Sequence, residues 1–251
     1  MQKTLSMMLI LFLSAWTSTL SAQSPDMQPL TTRLGEPTLE EIVTRHIDAI
    51  GGKANWSKIK TIKTEGTMKA QGAEIKITIY QKDKVAMRQD IAVMGMNGWF
   101  ILTKTEGWNF MPFQGQTKPE PMTADDVKQA QDGLNIQDDF ITYKEQGKKL
   151  ELVGKDDVDG VECLKLKMKD AEGKETTYYL DPESYLIIKE TEKIKANGQE
   201  VDNTTTYGNY KKLDEGIVMP MSIIQGYGET EITLYEINKP IDENLFKPSK
   251  S

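Results

Sequence analysis

The chain has 251 residues and a formal net charge of −7, a balance that argues against nucleic acid and against resting on an anionic membrane surface. Cys163 is the only cysteine, so no internal disulfide can form and the fold must rest on its core.

The first 22 residues read as an export signal. Lys3 is a minimal positive region, residues 7–13 are an unbroken apolar run, and residues 14–21 are small and polar before Ala22. The run falls far short of the roughly 20 residues that cross a bilayer. Its removal leaves 229 residues, and loss of Lys3 takes the net charge from −7 to −8. Residues 23–37 hold Pro25, Pro29 and Pro37 with little periodicity, which suits a flexible leader. Residues 38–248 then read as one domain.

Thr38 and Glu41 form a capping box, and Leu39, Ile42, Val43, Ile47 and Ile50 fall on one helical face before Gly51 and Gly52 stop it. A helix with one apolar stripe lies against a sheet. From Ile59 the period changes to two: Ile75, Ile77 and Ile79 alternate with Glu74, Lys76 and Thr78, and Val85, Met87, Ile91 and Val93 repeat the pattern. Similar alternation recurs through Leu164, Leu166 and Met168 to Ile232 and Leu234. Turn signals stand between the runs at Asp159-Gly160, Glu172-Gly173, Asp181-Pro182, Asn197-Gly198 and Glu215-Gly216. The expected fold is mainly β: an incomplete antiparallel barrel of about eleven strands, curled because so long a sheet cannot stay flat.

One stretch breaks the strand pattern. Thr123 can cap a helix through 126–131, and Leu134, Ile136, Phe140 and Ile141 continue as an apolar segment. This insertion and the N-terminal helix should cover the concave face like a lid. Just before it, residues 95–122 carry Trp99, Ile101, Trp108, Phe110 and Phe113 and end in a flap stiffened by Pro112, Pro119 and Pro121. Such a hairpin suits the mouth of an apolar pocket. The candidate cavity is Ile77, Ile79, Met87, Ile91, Val93, Trp99, Ile101, Trp108, Phe110, Phe113, Leu134, Ile136 and Phe140, with the insertion exchanging against acyl chains at the aromatic mouth. Methionines at 87, 94, 96, 111 and 122 fit a surface that repacks around disordered chains, and fit a β core equally well.

Catalytic constellations are missing. His46 is the only histidine and reads as an ordinary mid-helix residue; Cys163 falls on the strand face opposite Leu164 and Leu166 with no histidine beside it. Asp157, Asp159 and Gly160 lack the first ligand of a calcium loop because Lys155 stands there. Neither a phosphate loop nor a dinucleotide fingerprint occurs, and no carboxylate pair is singled out. The expectation is a protein that is no enzyme and holds no cofactor or metal.

Several short motifs in order give a resemblance: AIGG at 49–52, TIKTEGTMK at 61–69, GMNG at 95–98, EGW at 106–108, MPFQG at 111–115, PEPM at 119–122 and DENLFKP at 242–248. With these the chain resembles the LolA-like outer-membrane lipoprotein-sorting proteins of Bacteroidota. The resemblance implies a half-barrel closed by helices, whose apolar cavity receives lipoprotein or phospholipid acyl chains in the periplasm, with an inner-membrane exporter and an outer-membrane acceptor as partners and a monomeric state. It also implies an arginine latch for the lid near the turn after the second strand. Here that turn is QKDK at 81–84, where Lys82 supplies charge without a forked donor, and Arg88 occupies another recurring position. Lys82 and Arg88 are therefore the candidate latch. Two rival readings stand beside the carrier: a periplasmic module that senses lipid on the same fold, and an enzyme acting on envelope lipids or glycans.

Overall fold

The computed structural model describes residues 35–70, 72–196, 199–226 and 228–248. The expected signal segment, most of the leader and the Asn197-Gly198 turn lie outside the described residues.

Helix α1 (Leu39–Ala49) begins as its sequence dictates. The Thr38 hydroxyl accepts the Glu41 N–H at 3.2 Å, and the Glu41 carboxylate accepts the Thr38 N–H at 2.8 Å. It ends at Gly51, where φ is +104° and a β-carbon would stand 2.1 Å from the Gly216 carbonyl oxygen, so only glycine lets the chain pass. After the short α2 (Lys53–Trp56) come β1 (Thr61–Ala70), β2 (Ala73–Lys82), β3 (Ala86–Val93), β4 (Met96–Thr103), β5 (Gly107–Phe110) and β6 (Glu120–Pro121). Met94 and Gly95 both take positive φ in the β3–β4 turn, the left-handed pair a two-residue hairpin requires.

The insertion holds α3 (Ala124–Gln129), a 3-10 turn over Gln131–Leu134 and α4 (Asp139–Thr142). The second run of strands is β7 (Lys149–Val158), β8 (Val161–Lys169), β9 (Glu175–Leu180), β10 (Ile187–Ala196), β11 (Gln199–Gly208), β12 (Lys211–Lys212), β13 (Val218–Met219), β14 (Ser222–Gln225) and β15 (Gly228–Ile237), followed by a 3-10 turn over Glu243–Phe246. Strands β12 and β13 pair with each other. The other thirteen form one antiparallel sheet in the order β6-β5-β4-β3-β2-β1-β15-β14-β11-β10-β9-β8-β7. The last long strand pairs with the first, joining the two runs, while β6 and β7 remain as free edges. The result is an open half-barrel. The count exceeds the expected eleven because two-residue strands such as β6 and β12 are too short to show alternation.

Three buried clusters lie between one face of the sheet and the helices. Ile42 of α1 and Phe140 of α4 pack on Leu164, Leu166, Tyr178 and Leu180. Ile50, Trp56, Ile136 and Ile141 pack on Ile62 and Ile237. Val127 and Leu134 pack on Leu102. The insertion thus contributes to all three clusters and is part of the core that holds the fold together.

Candidate functional site

The pleat decides which side chains reach the covered face. Ile75, Ile77 and Ile79 of β2 stand opposite Val93, Ile91 and Gln89 of β3, and opposite Met68, Gly66 and Thr64 of β1. Gly98 and Phe100 of β4 continue the same row beyond Ile91 and Gln89. The insertion covers only the end of this row where Leu102 and Met87 lie. Beyond it, Met68, Ile75, Ile77, Ile79, Ile91 and Val93 are half-buried and belong to none of the three core clusters. Together with Thr64 and Gln89, which share the row of Ile79, they form a mainly apolar trough, roughly 13 Å along the strands and about 15 Å across them.

Phe113 makes one wall of this trough. A β-carbon on Gly98 would lie 2.6 Å from Phe113 Cε1, so the glycine leaves the space in which the ring sits. The flap is held in place by the Gln116 side chain, which accepts the Met111 N–H at 2.6 Å and donates to Asn109 Oδ1 at 2.7 Å and Glu120 Oε2 at 3.0 Å.

Of the expected cavity residues, the structure brings Ile77, Ile79, Met87, Ile91, Val93 and Phe113 to one face. Leu134, Ile136 and Phe140 are buried in three different clusters, so they anchor the insertion and do not line the trough. Trp99, Ile101, Trp108 and Phe110 are a correction. The β3–β4 and β4–β5 registers pair Trp99 with Asp90 and Phe110, and Ile101 with Arg88 and Trp108, which puts all four on the opposite face of the sheet. Exchange of the insertion with acyl chains at an aromatic mouth is therefore not what this geometry offers. There the 3-10 turn over Glu243–Phe246 packs on β3 and β4, and the Arg88 guanidinium lies 5.5 Å from the Trp99 ring centroid.

The latch is corrected for the same reason. Lys82 pairs with Glu243, and Arg88 bonds Asp90 at 2.7 Å and the Leu245 carbonyl at 2.9 Å, so both hold the C-terminal turn. The insertion is fastened by their neighbours. The Lys84 N–H donates to the Leu134 carbonyl at 2.7 Å, the Asp83 carboxylate accepts the Ile136 N–H at 3.3 Å, and the Gln81 amide reaches the Gly133 carbonyl at 3.4 Å. The same turn thus fastens the insertion through the Lys84 backbone, the Gln81 amide and the Asp83 carboxylate, and not through Lys82 or Arg88. Contacts across some fifty residues leave no local sequence signal, which is why these residues were missed.

On the other side of the insertion the covered face turns polar. A cavity of about 130 Å³ is lined by Asp132, Asp139, Lys148, Lys174, Tyr178, Glu190 and Glu192, among others. Lys148 bonds Asp139 at 3.1 Å and lies 3.6 Å from Asp132, and the Tyr178 hydroxyl donates to Asp139 at 2.7 Å. Burial pushes the Glu190 carboxyl up from its ordinary range, against the hydrogen bond it accepts from the Tyr207 hydroxyl. Cys163, expected to face away from Leu164 and Leu166, is fully buried; burial and the nearby charge of Asp181 and Asp157 push its thiol pKa up. Among the described residues, no three His, Cys, Asp or Glu are grouped so as to hold a metal ion, and no helix is long and apolar enough to cross a membrane.

No family model matches the sequence, and no curated protein does. Solved structures do resemble the fold. A DUF1329 family protein from Desulfovibrio piger aligns at 11% identity over 84% of this chain and 98% of its own, with a TM-score of 0.52. A LolA superfamily protein from Nitrosomonas europaea aligns at 13% identity over 82% of this chain and 96% of its own, with a TM-score of 0.50. The architecture of this chain is the LolA-like open half-barrel.

Proposed function

We propose that the protein is an exported carrier that holds acyl chains in the trough over β1–β4 and moves lipoproteins towards the outer membrane. The observation that carries this reading is the row Met68, Ile75, Ile77, Ile79, Ile91 and Val93. It is half-buried and outside the core, on the face that the helices otherwise cover. A sheet that needed only to be stable would set mainly polar side chains along an uncovered part of that face.

Energetics define the task. At about 0.8 kcal/mol per methylene, bringing a sixteen-carbon chain into water costs on the order of 12 kcal/mol. A trough open on one side recovers part of that and lets the chain leave again. The likeness to the LolA superfamily protein supports the fold on which this reading depends. The expected signal segment at residues 1–22 would place the carrier in the periplasm.

The test is extraction from vesicles. The protein is mixed with phospholipid vesicles bearing a triacylated peptide, and the supernatant is assayed for peptide. Soluble peptide in proportion to protein is the expected result. Extraction of the unacylated peptide at the same level, or no extraction at all, would overturn the carrier reading.

A further inference from the structure

The sequence has one histidine, and the fold places it in the interior. His46 is 1% exposed, on the side of α1 that meets the insertion, with its ring 4.7 Å from that of Phe140. Its two nitrogens meet two different partners. Nδ1 lies 2.7 Å from the Tyr185 carbonyl oxygen, and Nε2 lies 3.3 Å from Asp138 Oδ2.

A carbonyl and an ionised carboxylate only accept hydrogen bonds, and a neutral imidazole has a single N–H. Both contacts are satisfied together only when both nitrogens carry protons. In the neutral ring one lone pair must face an acceptor in a buried site, which is costly. Asp138 is also committed on its other oxygen: Oδ1 accepts the Phe140 N–H at 2.8 Å and so caps α4. The imidazolium therefore ties three elements together, namely α1, the β9–β10 connection at Tyr185, and the start of α4.

We propose that His46 is a proton-operated fastener of the helical insertion, closed while the ring is an imidazolium and released from Asp138 when the ring becomes neutral.

Asp138 and the Tyr185 carbonyl favour the charged ring, and the charged and titratable groups around them are committed to other partners. From its own helix comes Arg45, already bonded to the Tyr185 hydroxyl at 2.8 Å. From the insertion come Asp138 and Asp139, the latter held by Tyr178 and Lys148. From the sheet come Glu190, bonded by the Tyr207 hydroxyl, and Tyr210, whose hydroxyl donates to the Ile187 carbonyl at 2.6 Å. Burial opposes the charge, and it is outweighed by the Asp138 carboxylate and the Tyr185 carbonyl, so the pKa of His46 lies above the ordinary imidazole value. A raised histidine pKa means that the fastening is fully present below about pH 6.5 and is lost as pH rises through the folded value.

That release of the insertion also loosens bound lipid rests on the lipid-binding reading; the fastening itself does not. With one histidine in the chain, nitrogen NMR of the imidazole reports this residue alone. The expected result is a midpoint above pH 6.5 with protons on both nitrogens below it. Amide protection factors for residues 134–146 should fall roughly tenfold or more across the same midpoint. In the His46→Gln variant that step should vanish, and if the variant does not fold, the wild-type titration alone decides. A ring that is neutral below pH 6.5, or protection that passes through the midpoint unchanged, would overturn the proposal. A fatty-acid probe titrated over the same pH range separates the two readings. Loosened protection with unchanged probe affinity keeps the fastener and removes its link to lipid.

Discussion

Replacing Ile77 with aspartate tests the trough where it is most exposed to cargo. Ile77 stands between Gly66 of β1 and Ile91 of β3, and it touches no core cluster. Its loss should cost the fold no more than about 1 kcal/mol, in the ordinary range of a substitution outside the core. A bound acyl chain, by contrast, loses the two methyl groups and one methylene of the isoleucine, worth about 2.4 kcal/mol at roughly 0.8 kcal/mol each, before the cost of burying a carboxylate is added. At about 1.4 kcal/mol per factor of ten, affinity should fall by at least about fiftyfold. The assay is titration of a fluorescent sixteen-carbon fatty acid, with urea unfolding run in parallel. Trp108→Gln is the control, because Trp108 lies on the other face with its indole N–H bonded to Glu106 at 3.2 Å. Unchanged probe binding in Ile77→Asp, or an equal loss in Trp108→Gln, would refute the placement of the site.

Other consequences concern packing and reactivity. Gly51→Ala must meet the Gly216 carbonyl in a positive-φ conformation and should lose more than about 3 kcal/mol in urea unfolding, whereas Gly52→Ala, with φ at +85° and ψ at +146° but open space around it, should lose about 1–3 kcal/mol. Gly98→Ala should displace Phe113, lowering probe affinity together with a stability loss of about 1–3 kcal/mol; full affinity would show that Phe113 is no wall of the site. Cys163 should resist a thiol reagent at pH 8 in the folded protein and react fully in denaturant, since its thiol is buried and its pKa raised. Rapid labelling of the folded chain would contradict that burial.

Local chemistry was readable from the sequence and long-range pairing was not. The Thr38–Glu41 capping box, the stop at Gly51 and the Asp159-Gly160 turn each depend on a few adjacent residues, and each stands in the structure as expected. Alternation along β2 and β3 likewise identified Ile77, Ile79, Ile91 and Val93 as one face. What alternation does not say is which of its two faces the helices cover. In β4 both faces are apolar: Ile101 is buried beneath the C-terminal turn and Leu102 beneath the insertion, so the sequence offered no polar face to mark the outside. Trp99, Ile101, Trp108 and Phe110 were placed on the wrong side for that reason. The roles of Gln81, Asp83 and Lys84 were hidden because their partners lie near residue 134, and that of His46 because its partners lie near residues 138 and 185.

Native mass spectrometry of the protein isolated from envelope extracts tests the central claim most directly. The expected spectrum shows the chain with added mass matching an acylated molecule, present in wild type and lost in Ile77→Asp. A wild-type spectrum of the bare chain alone, under conditions that preserve other lipid complexes, would contradict lipid binding in the trough.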